Sequence, residues 1–189
     1  MRIVVVGTSG AGKTAMATRI ASAFGLPRIE LDRLHWEPNW QALTETNPGE
    51  FVRRVDAATS GDAWVCDGNY GLVRDLIWGR ATNLIWLDYG REVIMVRVIK
   101  RSVVRALGGT ELWAGNKEDW RRWWRPSHPI RWAWSTWRRR RLEFEALLSS
   151  EQHRHLTVLR LQSPRDAATV IDRLKADAAS SQARDERAL

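Results

Sequence analysis

The feature that most constrains the fold is an apolar run followed at once by a glycine-rich loop. Residues 1–6 read MRIVVV and residues 7–14 read GTSGAGKT. A short β-branched run bounded by glycine predicts a buried strand, and KTAMATRIASAFG after it predicts a helix closed by Gly25. The chain has four lysines against 26 arginines, yet it keeps Lys13 in this loop. The sequence therefore opens with a strand–loop–helix unit that requires a lysine.

The loop has the spacing of a phosphate-binding loop, G-x-x-x-x-G-K-[ST]. Glycines let successive backbone N–H groups approach an anion, and the following helix directs its positive end at the same point. The lysine can reach the β- and γ-phosphates of a nucleoside triphosphate, which makes it a catalytic candidate, and the threonine hydroxyl suits Mg²⁺. The predicted nucleotide-binding residues of the loop are Gly7, Ser9, Gly10, Ala11, Gly12, Lys13 and Thr14.

The remaining patterns alternate between strand and helix. Strands are predicted at PRIELD, AWVCDG, TNLIWLD and LTVLRL, and helices at NPGEFVRRVDAATS, YGLVRDLIWGR, REVIMVRVIKRSVVRAL and SPRDAATVIDRLKADA. Asn47 is a predicted N-cap, and Ser163-x-x-Asp166 a capping box. Such alternation predicts an α/β fold with a parallel sheet covered by helices on both faces, hence three layers. We expect one domain over residues 1–178 and a frayed polar tail over residues 179–189.

Composition narrows the class of protein. The chain of 189 residues has a net charge of +8, which favours acidic partners such as phosphates, nucleic acid or a membrane surface. No apolar run approaches the roughly 18 residues that span a bilayer, and the N-terminus does not resemble a signal peptide, so no membrane partner is expected. The single cysteine, Cys66, excludes an intrachain disulfide and is predicted to be buried. We expect a cytoplasmic protein.

Three aspartates stand where predicted strands end. Asp32 ends the second, Asp67 the third and Asp88 the fourth. Ligands of parallel sheets bind beyond the carboxyl ends of the strands, so Asp32 and Asp67 should face the triphosphate and its acceptor. A carboxylate there can hold a Mg²⁺ water or take the acceptor's proton. We predict Asp67 as a catalytic and metal-site residue beside Thr14, and expect Asp88 only to cap the following helix.

The motif fits three functions: a small-molecule kinase, a GTPase-like switch, or an NTPase associated with nucleic acid. NKED at residues 116–119 has the form of the guanine-binding N-K-x-D. It does not follow a predicted buried strand, however, and no D-x-x-G stands on the third strand. We therefore interpret NKED as a coincidence, with Asn116 capping a helix.

Longer motifs resemble a family. GTSGAGKT, LDRLHWEPNW, WVCDGNYG and NLIWLD resemble the small P-loop kinases related to adenylate and shikimate kinases, most of all a bacterial branch labelled adenylate kinase-like or DNA topology modulation protein. The resemblance implies a five-stranded parallel sheet in the order 2-3-1-4-5, a mobile lid after the fourth helix, and transfer of a phosphoryl group from ATP with Mg²⁺. It also implies that Arg97 stacks on adenine and that Arg101 contacts the transferred phosphoryl group.

The acceptor side departs from adenylate kinase. The AMP-binding D-G-x-P-R is absent, because Asn69 and Tyr70 follow Asp67-Gly68 and the next arginine is Arg74. This departure argues against AMP as the acceptor. The side chains expected there suit a molecule with hydroxyls, a ring and an anionic group. The predicted acceptor pocket consists of Asp32, His35, Trp36, Asn69, Tyr70 and Arg74.

Residues 109–141 interrupt the alternation with arginine and tryptophan. Seven of the twelve tryptophans fall between Trp113 and Trp137, and RRRR occupies residues 138–141. A helical lid that closes over the phosphates and excludes water is the favoured interpretation. Nucleic-acid binding is the rival, with arginine on the backbone and tryptophan stacked on bases. The helical spacing of several tryptophans, including Trp134 and Trp137, would also suit a core beside such a lid. The remaining interpretation is a general bias toward arginine without a functional role.

Overall fold

The computed structural model describes residues 1–108, 111–116 and 129–185. Its strands are β1 (Arg2–Gly7), β2 (Arg28–Glu30), β3 (Trp36–Glu37), β4 (Gln41–Ala42), β5 (Trp64–Asp67), β6 (Asn83–Leu87) and β7 (Thr157–Leu161). Its helices are α1 (Lys13–Phe24), α2 (Leu31–His35), α3 (Leu43–Thr46), α4 (Pro48–Ala58), α5 (Arg74–Arg80), α6 (Arg91–Gly108), α7 (Pro129–Leu148) and α8 (Val170–Asp185).

Five strands form one parallel sheet in the order β2-β5-β1-β6-β7. Counted along the chain within this sheet, the order is 2-3-1-4-5, as the resemblance implied. The apolar strand β1 lies at the centre, where Val4 pairs with Cys66 on one side and with Leu84 on the other. The predicted α/β class with a five-stranded parallel sheet is confirmed.

The core has two parts, one on each face of the sheet, because successive β1 side chains point to opposite faces. Ile3 and Val5 pack with residues of α1, α6 and α8, whereas Val4 and Val6 pack with residues of α4 and α5. Helix α7 contributes to both parts, and Cys66 is fully buried as predicted. Burial of each such aliphatic side chain stabilises the fold by about 1.5–3 kcal/mol.

Two predicted capping interactions are present, although α8 begins at Val170, later than the predicted start at Ser163. The Asn47 side chain accepts a 3.1 Å hydrogen bond from the Glu50 N–H at the start of α4. Asp166 accepts from the Ser163 N–H at 2.8 Å, and Ser163 Oγ accepts from the Asp166 N–H at 3.3 Å. This reciprocal pair is a capping box, and it precedes α8 by one short turn of 3₁₀ helix.

The second sheet strand is shorter than predicted. It ends at Glu30, and Asp32 lies in helix α2. Leu31 turns into the core beside Gly68, where an added Cβ would come within 2.6 Å of the Leu31 Cβ. Asp32 therefore reaches the carboxyl end of the sheet from a helix. Strands β3 and β4 form a separate antiparallel pair after α2.

The predicted lid lies only partly within the described ranges, which exclude residues 109–110 and 117–128. A 3₁₀ turn occupies Trp113–Gly115, and residues 129–141 form the first part of α7, which packs against α6. Trp134 is 56% exposed, so a core position for it is wrong, while the half-buried Trp137 donates to the Tyr89 carbonyl at 3.0 Å.

At the C-terminus, α8 continues to Asp185. Residues 179–185, predicted as part of a frayed tail, are therefore helical, and residues 186–189 lie outside the described ranges. Within those ranges, each helix is either too short or too polar to cross a bilayer.

Candidate functional site

The loop between β1 and α1 can adopt its shape only with glycine at key positions. Gly10 and Gly12 have φ values of 88° and 95°, in the left-handed region. A Cβ on Gly10 would lie 3.0 Å from both the Ile94 carbonyl oxygen and the Val98 Cβ. The loop thus rests directly against α6 at the N-terminus of α1, where backbone N–H groups favour an anion.

Lys13 lies folded back over this loop. Its ammonium donates to the carbonyl oxygens of Gly7 at 3.1 Å and Thr8 at 3.4 Å. Burial lowers the pKa of Lys13, and the neighbouring carboxylates of Asp32 and Asp67 oppose that shift. One ammonium therefore stands between the loop and both predicted carboxylates.

The predicted metal-site residues are in direct contact. Thr14 Oγ1 donates to Asp67 Oδ2 at 2.7 Å, and Asp67 Oδ1 accepts from Arg28 Nη1 at 3.3 Å. Burial raises the pKa of Asp67, which is 3% exposed, while the Thr14 hydrogen bond and the charges of Arg28 and Lys13 lower it. Sequence analysis did not identify Arg28.

This pair of hard oxygen donors fits Mg²⁺, which binds through one or two protein groups together with phosphate oxygens and waters. Within the described ranges, no cluster of three or more His, Cys, Asp or Glu side chains could form an all-protein metal cage. Thr14 and Asp67 are thus suited to a cation that arrives with the nucleotide.

Two arginines of α6 bind the loop from the side. Arg97 Nη1 donates to the Ala11 carbonyl at 3.0 Å, and Arg101 Nη2 donates to Ser9 Oγ at 3.1 Å. Residues four apart share one face of a helix, which brings both guanidinium groups to the loop. The structure therefore assembles both predicted arginines with the predicted loop residues.

A cavity of about 400 Å³ opens beside the loop, large enough for a nucleoside. The Arg97 guanidinium lies 5.1 Å from the centre of the Tyr89 ring at this cavity. The lining combines backbone of the loop with aromatic, aliphatic and arginine side chains. Its members outside the loop are Ala15, Met16, Arg19, Leu87, Tyr89, Arg97, Arg101, Pro164 and Ala167.

On the acceptor side, the predicted residues form one aromatic and acidic cluster. The Tyr70 hydroxyl donates to Asp32 Oδ1, and burial, followed by the Asp32 charge, raises the pKa of Tyr70. The His35 ring is 3% exposed and lies 4.4 Å from the Tyr70 ring and 4.6 Å from the Trp36 ring. Burial lowers the pKa of His35, so its imidazole is neutral near pH 7. The cluster shares no residue with the lining of the nucleoside-sized cavity, and the charge of its Asp32 acts on Lys13.

Two predicted residues occupy the edge of this cluster. The Asn69 Nδ2 atom is buried and has no hydrogen-bond partner among the described residues. Arg74 donates to Glu143 at 2.6 Å and lies 5.7 Å from the Trp78 ring centre. Arg74 is therefore anchored in an ion pair at the edge of the pocket.

A residue that the sequence did not single out, Arg140 of α7, also points into the site. Burial lowers its pKa, the Glu143 charge opposes that shift, and Arg74 and Tyr70 lie near enough to act on it. Its own charge lowers the pKa of Lys13. Among the described residues it has no hydrogen bond or ion pair. The run RRRR at residues 138–141 was the only sequence signal for Arg140. Its members face different sides of the helix, and Arg138 and Arg139 are exposed whereas Arg140 is half-buried.

Asp88 has a structural role different from the one expected, and Asn116 has contacts that the sequence did not indicate. Asp88 precedes α6 but accepts from Arg160 at 2.6 Å and pairs with Arg141 at 3.4 Å, so it ties β6 to β7 and α7. Asn116 is 5% exposed and links the 3₁₀ turn at Trp113–Gly115 to the β3–β4 hairpin. Its expected helix, starting at residue 117, lies outside the described ranges.

Comparison with solved structures shows similarity to small kinases along nearly the whole chain. A shikimate kinase from Bacteroides thetaiotaomicron is 15% identical, with 95% of this chain and 98% of that chain covered and a TM-score of 0.58. A shikimate kinase from Acinetobacter baumannii in complex with shikimate is 15% identical, with coverages of 95% and 93% and a TM-score of 0.54. A gluconokinase from Sinorhizobium meliloti 1021 is 18% identical, with coverages of 95% and 96% and a TM-score of 0.51.

By sequence, no protein-family model and no curated protein matches this chain. At the identities of the solved structures, the likeness shows the fold alone. The chain has the fold of the P-loop kinases.

Proposed function

We propose that the protein is an ATP-dependent phosphotransferase that moves the γ-phosphoryl group to a hydroxyl of a small, anionic acceptor. The observation that carries this proposal is the position of Lys13. Its ammonium is near enough to be influenced by Arg101, which lines the nucleoside-sized cavity, and by Asp32, which accepts from Tyr70 on the acceptor side. The fold shared with shikimate kinases and a gluconokinase supports the same reaction class.

The nucleotide side supplies binding and charge. Bound Mg²⁺ would neutralise charge on the phosphate oxygens, and Thr14 and Asp67 would hold it. Lys13 and Arg101 now bond to oxygens of the loop itself, and each can exchange those neutral partners for phosphate. Charge-assisted hydrogen bonds are stronger than neutral ones, so the exchange favours the triphosphate.

The acceptor side supplies a base. Tyr70 occupies one oxygen of the Asp32 carboxylate, which leaves the other for an acceptor hydroxyl. A carboxylate at that position can take the hydroxyl proton as the oxygen attacks phosphorus. The half-buried Trp36 ring, packed edge-on against His35, provides an apolar surface that suits the carbon skeleton of a small molecule.

Arg140 is the reason for expecting an anionic acceptor. Arg140 is a half-buried guanidinium that makes no ion pair among the described residues, since the nearby Glu143 pairs with Arg74, and such a group favours a ligand carboxylate or phosphate. Arg74 adds positive charge at the same edge, although Glu143 already binds it. We therefore expect a hydroxylated carboxylate or phosphate ester. AMP, the acceptor of adenylate kinases, is disfavoured because its D-G-x-P-R motif is absent.

The test is acceptor-stimulated ADP formation over a panel of hydroxy acids, sugar acids, sugar phosphates, nucleosides and nucleotides. For the stimulating acceptor, Arg140→Ala should raise KM by roughly 10- to 100-fold, the loss of one charge-assisted contact of about 1.5–3 kcal/mol. Arg138→Ala, an exposed neighbour, is the matched control and should change KM by less than about twofold. If neutral and anionic acceptors stimulate ADP formation equally, the assignment of Arg140 is wrong.

A second candidate is an ATPase that binds single-stranded nucleic acid. The exposed face of α7 carries Arg131, Trp134 and Arg138 at helical spacing, a combination that binds backbone and bases. The Arg91 guanidinium already lies 3.3 Å from the Trp134 ring centre, however, and covers one face of it. Affinity for an oligonucleotide tighter than about 1 µM at 150 mM salt would favour this candidate.

A further inference from the structure

We propose that Arg28 is an internal counter-cation of the divalent-metal site and that it weakens metal binding. The inference rests on the proposed function. Arg28 bridges two carboxylates at the carboxyl end of the sheet, with Nη1 3.3 Å from Asp67 Oδ1 and Nη2 3.0 Å from Glu30 Oε2. Asp67 in turn contacts Thr14, so the guanidinium stands immediately beside the residues suited to Mg²⁺.

The two carboxylates are close because of strand register. Glu30 on β2 pairs directly with Asp67 on β5, so their side chains project from the same face of the sheet. Their side chains are only 15% and 3% exposed, and two ionised carboxylates in such surroundings repel each other. Arg28 neutralises this repulsion while the site lacks a cation.

Each carboxylate is held by one neutral donor and by Arg28. Glu30 Oε1 accepts from Trp113 Nε1 at 2.9 Å, and Asp67 Oδ2 accepts from Thr14 at 2.7 Å. The neutral donors already orient the carboxylates, so orientation does not depend on Arg28 alone. What Arg28 adds is one positive charge.

A divalent cation at Thr14 and Asp67 would meet that charge at close range. The same guanidinium that stabilises the metal-free pair therefore opposes the metal. Removing it should tighten binding by roughly tenfold, a moderate effect because the Arg28 side chain is 29% exposed and its charge is partly screened. A merely orienting Arg28 predicts the opposite sign, since its loss would then weaken binding.

The test measures binding of Mn²⁺, by electron paramagnetic resonance, to protein saturated with a non-hydrolysable ATP analogue. Arg28→Gln should lower the Mn²⁺ Kd roughly tenfold, whereas Arg28→Lys, which keeps the charge, should stay within about twofold of the parent. Arg53→Gln is the matched control, because it removes an exposed arginine from its ion pair with Glu50 on α4. A second readout is the rise in melting temperature on adding Mg²⁺, which should be larger in Arg28→Gln.

A double variant keeps the test valid if Arg28→Gln folds poorly. Arg28→Gln with Glu30→Gln removes one charge of each sign, so it avoids the repulsion and should bind Mn²⁺ with nearly parental affinity. Unchanged or weaker binding in a folded Arg28→Gln variant overturns the inference while leaving the phosphotransferase proposal intact. If the parent protein binds neither the ATP analogue nor Mn²⁺, both the inference about Arg28 and the phosphotransferase proposal are overturned.

Discussion

Asn116 offers the sharpest test of how the acceptor pocket is held in place. Its side chain accepts from the Trp40 N–H at 2.8 Å and donates to the carbonyl oxygens of Glu37 at 2.9 Å and Trp113 at 2.8 Å. The β3–β4 hairpin that it secures has only two residue pairs, Trp36 with Ala42 and Glu37 with Gln41. Such a hairpin cannot be stable by itself. Asn116→Ala should therefore release it.

The magnitude follows from the three lost bonds. A buried hydrogen bond contributes about 1 kcal/mol net, so the substitution should cost about 3 kcal/mol. The Asn116 side chain is 5% exposed, so water does not readily reach the groups that lose their hydrogen bonds in the variant. Two consecutive residues of the hairpin, Asn39 and Trp40, also have φ values of 60°, an unfavourable conformation that the Asn116 contact helps to retain.

Urea unfolding and hydrogen exchange together measure the effect. If the hairpin unfolds with the domain, the free energy of unfolding falls by about 3 kcal/mol. If it opens alone, exchange of the Trp40 amide accelerates by more than about 100-fold at little global cost. Gln41→Ala, exposed on the same hairpin, is the control and should change stability by less than about 0.5 kcal/mol. An Asn116→Ala variant that matches this control in both assays would refute the reasoning.

Further predictions concern the site and pH. Lys13→Ala should abolish ATP binding in calorimetry with circular dichroism unchanged, whereas Lys100→Ala, on the exposed face of α6, should bind as the parent does. Asp67→Asn should lower turnover roughly 100-fold with a smaller effect on nucleotide affinity, measured by steady-state kinetics. Arg101→Ala should lower kcat more than it raises the ATP Kd. Burial lowers the pKa of His153, so the unfolded state takes up a proton at a higher pH than the folded state does. The free energy of unfolding should therefore decrease as the pH is lowered through about 6.5. His153→Phe should make this decrease smaller in urea titrations.

The nucleotide side could be predicted from the sequence because it is local. The loop GTSGAGKT joins a strand to a helix within a few residues, and its chemistry follows from residue type and spacing alone. The family resemblance implied that Arg97 and Arg101 act on the nucleotide, and because they are four apart on one helix, a single face brings both to the loop at Ser9 and Ala11. Alternation of strands and helices was likewise sufficient for the fold class.

The sequence did not reveal the contacts that depend on distant segments. Glu30 meets Asp67 through strand register across 37 positions of chain, and Arg28 becomes relevant only through that pairing. Asp32 was placed on a strand because nothing in PRIELD indicates that Leu31 turns inward to form α2. Arg140 was hidden in a run of four arginines, since charge alone does not show which member of the run points inward.

The buried polar groups indicate what an acceptor must supply. Away from the site, Arg160 and Arg141 hold the buried Asp88, while Ser102 Oγ and both ring nitrogens of His153 are buried without a hydrogen-bond partner among the described residues. Around the acceptor cluster, His35 Nδ1, Asn69 Nδ2 and Arg74 Nε are buried without a hydrogen-bond partner among the described residues. Each such group costs about 1–3 kcal/mol, and a ligand that bonds to it recovers that cost. A polar acceptor therefore gains affinity from this pocket that an apolar molecule of the same shape cannot, which is the physical basis for expecting a hydroxylated anion.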